Sequence, residues 1–197
     1  MKKKFFITTF FILIFAQKSF SYSADPKEFV SEIVDQAKKI LVETNTKEFK
    51  SKKLAEIALV TVDIKGVAYY SIGKYRKQLT DDQIKKYLSL FEKYFIKSFT
   101  SRLADYSDPK IEVLSTDVIN EKYTIVKSVL LADDKKPEVK IEWRVYTKNP
   151  ENLLIRDLII EGLSLARTQK EEFSSIINSN DGKIDALLKN LSDFSSK

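Results

Sequence analysis

The residues best placed to do chemistry in this chain lie in one apolar stretch, LLIRDLIIEGLSLARTQKEEF, Leu153 to Phe173, where Asp157 and Glu161 stand among Leu and Ile. Two carboxylic acids in a greasy strand could act as general acid and general base if they faced a cavity. The rest of the chain offers them few helpers. There is no His and no Cys, so the commonest general base, the commonest metal ligand and the thiol nucleophile are all missing. No metal site and no catalytic residue is assigned. Asp157 reads more readily as a hydrogen-bonded carboxylate at a strand end, because a buried charge requires pairing. Glu161, next to Gly162, reads as the strand exit. An isomerase or cyclase on a curved sheet stays open as an alternative.

The elements that would position these acids are marked by capping residues and by a change of period. Asp25-Pro26 reads as a helix cap followed by proline at the first helical position, opening a helix to about Val42 with Phe29, Ile33, Ala37, Ile40 and Leu41 on one face. A second helix is expected from Lys47 to Thr61. A third, with Ile64, Val67, Ala68, Ser71, Ile72 and Tyr75 at three- and four-residue steps, runs to Gly73–Tyr75. Asp63 caps this segment or marks a bend in it. Thr80 with Gln83 three residues later forms a capping box. The helix it opens carries Ile84, Leu88, Phe91, Phe95 and Phe99 on one stripe and a Lys-rich opposite side.

After Pro109 the period becomes two, giving candidate strands Ile111–Thr116, Tyr123–Ala132, Val139–Thr147 and Leu153–Glu161. Short turns between them predict an antiparallel meander. Val139, Ile141, Trp143 and Val145 alternate with Lys140, Glu142 and Arg144, whereas the second and fourth strands are apolar on both faces. Helices over Ser164–Asn178 and Lys183–Phe194 close the chain. Helices on either side of a strand block predict one α+β domain.

The N-terminus has its own pattern: MKKK, then FFITTFFILIFA, then a stretch rich in small residues. A basic start, a short apolar run and a small-residue exit predict a secretory signal peptide over residues 1–24, leaving one domain over 25–197. Ser19/Ser21, Ser21/Ser23 or Ala24 could mark the cleavage position. Removing the segment takes away Lys2, Lys3, Lys4 and Lys18 and no acid, so the formal charge falls from +6 to about +2. That leaves little reason to expect nucleic acid as a partner. Without Cys the domain has no disulfides, so the core alone must hold it together.

A curved sheet under helices can close into a solid core or leave a hollow. Phe91, Phe95, Phe99, Ile141, Trp143, Val145, Ile159 and Phe173 could supply either, and aromatic stripes at helical spacing are usually core.

DLIIEGLSL, Asp157 to Leu165, resembles the D-v-x-i-e-G-v-S-l segment of the MlaC family, the periplasmic phospholipid-binding proteins also called toluene-tolerance proteins. VDIKGVAYYSIGKYRKQLTDDQIKKYLSLFEKYF resembles the family's central block, through Asp63, Gly73, Tyr75, Thr80, Gln83, Phe91 and Phe95. The tail FSSIINSNDGKIDALLKNL is similar to its closing helices through Phe173, Gly182, Leu187, Leu188 and Leu191. Lys170 stands where the family usually has an Arg, and Leu153 where a Trp is common, so no head-group contact is assigned.

The resemblance implies an α+β fold, with helices on a curved antiparallel sheet of about four strands around an apolar cavity. It implies a monomeric periplasmic carrier that needs no cofactor and holds phospholipid as cargo. Its partners would be an inner-membrane ABC-type lipid transporter and an outer-membrane lipoprotein complex. Val67, Tyr70, Tyr75, Phe91, Phe95, Phe99, Ile141, Trp143, Val145, Ile159 and Phe173 are then expected to contact lipid. Shielding a diacyl lipid of roughly 28 methylenes requires on the order of 20 kcal/mol, at about 0.8 kcal/mol each, which favours an enclosed cavity over a shallow groove. A periplasmic chaperone for unfolded chains is a third reading, though it would call for an open apolar cradle.

Overall fold

The structure, a computed structural model, describes residues 22–132 and 137–196. The signal segment expected over residues 1–24 lies outside the described residues up to position 21.

Helix starts follow the capping chemistry of the sequence. Asp25 accepts the Lys27 and Glu28 amides and Pro26 begins α1, Pro26–Val42, which buries Phe29, Val30, Ile33, Val34 and Leu41. Thr46 caps α2, Lys47–Thr61, by accepting the Phe49 amide. Unlike α1, α2 has no single apolar face: Leu54 and Ala58 are buried, while Leu59 and Val60 are left exposed. Asp63 caps α3, Ile64–Ile72, through the Gly66 amide. Position 66 must be glycine for this cap, because a Cβ there would fall 2.3 Å from the Asp63 carboxylate. At Gly73, φ of +54° ends α3, and a tight 3-10 turn follows over Gly73–Gln78. Both hydrogen bonds of the Thr80–Gln83 capping box are made at the start of α4, the 23-residue helix Asp81–Leu103.

Five strands then form one antiparallel meander: β1 Ile111–Asn120, β2 Tyr123–Leu130, β3 Val139–Tyr146, β4 Leu154–Ile160 and the two-residue β5 Leu163–Ser164. The register places Val126, Trp143 and Leu158 in a row across β2, β3 and β4, with Lys127, Glu142 and Ile159 as the next row. Directly paired residues share a sheet face and successive rows alternate. A bulge in β4 breaks that alternation, since Arg144 pairs with Asp157 but Val145 with Ile155, leaving Arg156 as the extra residue. The turn joining β4 to β5 has positive φ at both Glu161 and Gly162, the type I′ geometry of a two-residue hairpin. Ser164 then caps α5, Leu165–Asn178, and α6 runs from Ile184 to Ser196.

The sheet therefore has one short strand more than expected. β1 also extends four residues past Thr116, paired with β2 although its outer half is exposed on both faces.

Buried apolar side chains of the described residues fall into three clusters. The largest joins α3, α4, α5 and α6, around Ile72, Tyr87, Phe91, Phe173, Ile177 and Leu187. A second packs Phe29, Val30, Ile33 and Val34 of α1 onto Val126, Trp143, Val145 and Ile155 of the sheet. A small third cluster joins Leu41, Leu54 and Ala104. Val62, between α2 and α3, packs against both of the larger clusters.

Candidate functional site

The two acids of the apolar strand are tied into the scaffold. Asp157 is 5% exposed. One of its oxygens accepts the Ala166 amide at 2.9 Å, and the other accepts the Ser164 hydroxyl at 2.6 Å with Arg144 Nη1 3.4 Å away. The carboxylate thus sits at the N-terminus of α5, where its charge is favoured and the first orphan amides need acceptors. It does for the strand-to-helix corner what a cap does, and its lone pairs are already engaged. Glu161 is exposed in the hairpin turn and accepts the Lys140 amide, pinning the turn to β3.

A second polar knot lies at the α2–α3 junction. The Asp63 amide donates to the Ile155 carbonyl at 2.9 Å, and Val62 forms a parallel bridge with Ile155. The Asp63 carboxylate accepts Arg156 Nε at 2.7 Å. The same guanidinium donates to the Tyr123 hydroxyl at 2.8 Å and lies over the Tyr146 ring at 3.8 Å. The bulge in β4 makes this possible, because the extra residue it admits is Arg156. One carboxylate, Asp63, thereby starts a helix and anchors it to the sheet next to Val62, where the two large clusters meet.

Around these knots lie the apolar side chains expected to hold cargo, and the structure divides them between the clusters. Tyr75, Phe91 and Phe173 are buried in the helical cluster, with Val67 and Phe95 packed against it. The rings form a continuous row down α4: Phe91 and Phe95 are 6.2 Å apart, and Phe95 stacks on Phe99 at 5.6 Å and 10°. Phe173 meets Phe91 edge to face at 6.1 Å. Phe91 is 1% exposed, whereas Phe95 and Phe99 are half-buried. Trp143 and Val145 belong to the sheet-backed cluster, with Ile141 half-buried against it. Trp143 is fixed in place by donating from Nε1 to Ser128 Oγ at 2.8 Å.

Ile159 pairs with Glu142, so it lies on the face opposite Trp143. Leu158 and Ile160, which strand alternation alone did not single out, take the Trp143 side, paired with Trp143 and Ile141. The register that decides between them is a property of the sheet, and the bulge in β4 hides it from a count of alternating residues.

Among the described residues, two surface clefts stand out. One, of about 610 Å³, runs between α1, α2 and the turn before β4, with Tyr22, Phe29, Ile40, Ile57, Val60 and Leu153 among its walls. The other, of about 680 Å³, lies along α5, lined by Tyr70, Arg167, Lys170, Ser174, Ser175 and Asn178 among others. Of the residues expected to contact cargo, Tyr70 alone lines either cleft. It is 46% exposed, with Lys170 Nζ 5.1 Å from its ring centroid. Tyr75, nearby, is buried and donates to Asn178 Oδ1 at 2.6 Å. Among the described residues no group of three or more acidic side chains is placed to hold a metal ion, and no helix is long and apolar enough to cross a membrane.

Against known proteins, a family model described as MlaC protein matches residues 28–193. A solved structure from Ralstonia solanacearum, described as a phospholipid-binding protein in complex with a phospholipid, superposes with a TM-score of 0.71 at 20% sequence identity. The superposition covers 88% of this chain and 97% of the other. At that identity the likeness concerns the fold: six helices and an open antiparallel five-stranded sheet.

Proposed function

The chain belongs to the MlaC family, and on that premise we propose that it binds phospholipid and carries it across the periplasm between inner- and outer-membrane complexes. The acyl chains are sheltered between the aromatic row of α4 and the Trp143 face of the sheet, and the protein works as a monomer that holds lipid as cargo. Catalysis has no place in this reading. The family is one of lipid-binding proteins, and the two acids of the apolar strand are spent on capping α5 and pinning a turn.

One observation supports this most. Each large cluster is bordered by apolar side chains of core type that the protein's own packing leaves half-covered: Phe95, with Phe99 stacked on it, on α4, and Ile141 and Leu158, with Ile160 on the same face, on the sheet. Native cores are close-packed, so unfilled apolar contact at the margin of two adjacent clusters favours an apolar ligand that completes it. Because such a site is about as apolar as a bilayer interior, transfer into it is nearly balanced. The direction of net flow then comes from the membrane complexes.

Organic extraction of protein purified from the periplasm, followed by mass spectrometry, tests the proposal. Phospholipid recovered in proportion to protein, together with transfer of labelled lipid between donor and acceptor vesicles, is the expected result. Protein that yields no phospholipid and transfers none would refute it. Capture of unfolded peptides in place of lipid would point to the chaperone reading.

A further inference from the structure

We propose that the outer face of α3, the turn after it and the adjoining side of α5 dock onto an anionic membrane surface. This goes beyond the cargo reading and does not depend on what the interior holds. Two stretches without an acid supply the charge: residues 64–80, with Lys65, Lys74, Arg76 and Lys77, and residues 162–170, with Arg167 and Lys170. Over residues 25–197 there are 30 basic and 28 acidic side chains, so outside these six the acids are in excess, 28 against 24. The charge of this near-neutral domain is unevenly placed, and its positive end lies here.

The fold brings the two stretches together. Lys170 Nζ lies 5.1 Å from the centroid of the Tyr70 ring, and Tyr70, Arg167 and Lys170 share the walls of the 680 Å³ cleft. The Lys170 stem passes the end of α3 so closely that a Cβ at Gly73 would fall 3.0 Å from its Cε. One residue round α3, Lys65 Nζ and the Arg76 guanidinium lie 5.9 and 3.7 Å from the centroid of the Tyr69 ring. Lys74 Nζ lies 5.3 Å from that of Tyr75. Four of the six cations are therefore held over tyrosine rings, and none of the six is in an ion pair among the described residues. A ring face attracts a cation without cancelling its charge. Lys170 is half-buried and the other five are exposed, so the field points outward. Glu171, in the wall of the same cleft, is the acid set against them, while Asp63 at the foot of α3 is engaged by Arg156. The lysines of α4 form the contrast. Lys85, Lys86 and Lys93 are exposed too, but Asp81, Asp82 and Glu92 are interspersed with them, and Lys85 lies 3.6 Å from Asp82.

Such a face fits a layer of anionic head groups. Its cations spread over two helices and a turn without converging on one point, which suits many shallow phosphates better than one enclosed anion. Each Lys or Arg near an anionic leaflet strengthens attachment. Tyrosine rings, apolar in body and polar at the tip, settle at head-group depth, and Tyr70 is 46% exposed. Attachment of this kind is peripheral, reversible and weakened by salt.

Flotation with lipid vesicles, using protein purified from the periplasm, tests the proposal. At low salt the protein should bind vesicles containing phosphatidylglycerol, bind pure phosphatidylcholine vesicles far less, and leave the anionic ones at high salt. Lys74→Gln/Lys77→Gln/Arg167→Gln should weaken binding to the anionic vesicles on the order of a hundredfold, at about fivefold per cation. Lys85→Gln/Lys86→Gln/Lys93→Gln removes the same formal charge from α4 and should weaken it far less. Circular dichroism checks that both variants fold, and phospholipid recovered by extraction should match the unsubstituted protein in both. No binding to anionic vesicles at low salt overturns the proposal, as does equal binding to both kinds of vesicle. Equal losses in the two triple variants also overturn it, by tracing attachment to overall charge. Protein that docks as described but yields and transfers no phospholipid overturns the cargo reading and leaves this face standing.

Discussion

The helical cluster and the sheet-backed cluster solve the same packing problem with different side chains. The helical one is rich in rings: Tyr87, Phe91 and Phe173 contact one another with centroids 5.8 to 6.4 Å apart, and buried hydroxyls are matched to acceptors, Tyr87 to the Ala68 carbonyl at 2.8 Å and Tyr75 to Asn178. The sheet-backed one is largely aliphatic, with Trp143 tied to Ser128 across the strands. The difference lies in how each cluster ends. The ring row of α4 runs out of its cluster into half-covered Phe95 and Phe99, while the sheet runs out into Ile141 and Leu158. Between them stands the Val62–Asp63 junction. That junction and the Asp157 corner at the start of α5 tie the two clusters together, so each keeps its own centre while its margin stays half-covered.

Substitutions at the centres and at the margins should therefore behave differently. The largest loss of stability is expected at the centres. Phe91→Ala should cost about 3–5 kcal/mol in urea unfolding, from lost transfer energy and an unfilled cavity. Val145→Glu, at a site with 0% exposure, should fail to fold, because no partner is at hand for the new charge. At the margin, Phe99→Ala should cost clearly less than Phe91→Ala. Equal losses at the two positions would dissolve the distinction between centre and margin.

The junction comes next. Asp63→Ala removes the cap of α3 and the partner of Arg156, for about 2 kcal/mol. Gly66→Ala should cost a similar amount on its own, because its Cβ would displace the Asp63 carboxylate. In an Asp63→Ala background that clash disappears, and Gly66→Ala should become neutral or slightly stabilising through helix propensity. A double-mutant cycle in denaturant decides this, and additive costs would show that the two residues act separately.

A pH effect sharpens the contrast between clusters. Burial pushes the Tyr87 phenol far above its ordinary value of 10.0, and burial likewise raises Tyr94 and Tyr22, with Glu172 and Glu32 respectively adding to it. A raised folded-state value means that the fold favours the protonated phenol. The stabilisation is complete below pH 10 and drains away as pH rises above it, where the unfolded chain releases its protons first. The urea midpoint should therefore fall above about pH 10. Tyr87→Phe should lower stability near neutrality, by removing the buried hydrogen bond to the Ala68 carbonyl, while flattening the alkaline fall. The smallest effect is expected at the surface, where removing the exposed Lys189–Asp193 pair on α6 should change stability by no more than about 0.5 kcal/mol.

The elements that local chemistry specifies were legible in the residues. Asp25-Pro26, Thr80 with Gln83, and the alternation of Val139 to Val145 place α1, α4 and β3 to within a residue or so of where they stand. The misses share a different cause. Asp117 to Asn120 do not alternate in burial and are held as strand by pairing with β2, and β5 is a two-residue consequence of the type I′ turn. Strand counting groups Ile159 with Trp143 because it cannot see the bulge that reassigns Arg156 and Asp157. For the same reason the Asp63–Arg156 knot was invisible, since it depends on which residue the bulge leaves over. As for the expected cargo wall, periodicity could show which residues share a helix stripe or strand face but not that Phe91 and Trp143 would centre separate clusters.

The central claim is that the margins, rather than the centres, meet the lipid. The most direct measurement is phospholipid per chain, by extraction and mass spectrometry, for Phe99→Glu compared with the unsubstituted protein, with folding of the variant verified by circular dichroism. A carboxylate at that half-buried position can reach water in the empty protein but not among acyl chains, so a folded variant with strongly reduced lipid and reduced vesicle-to-vesicle transfer is predicted. A folded Phe99→Glu protein that retains its full complement of phospholipid would contradict the account.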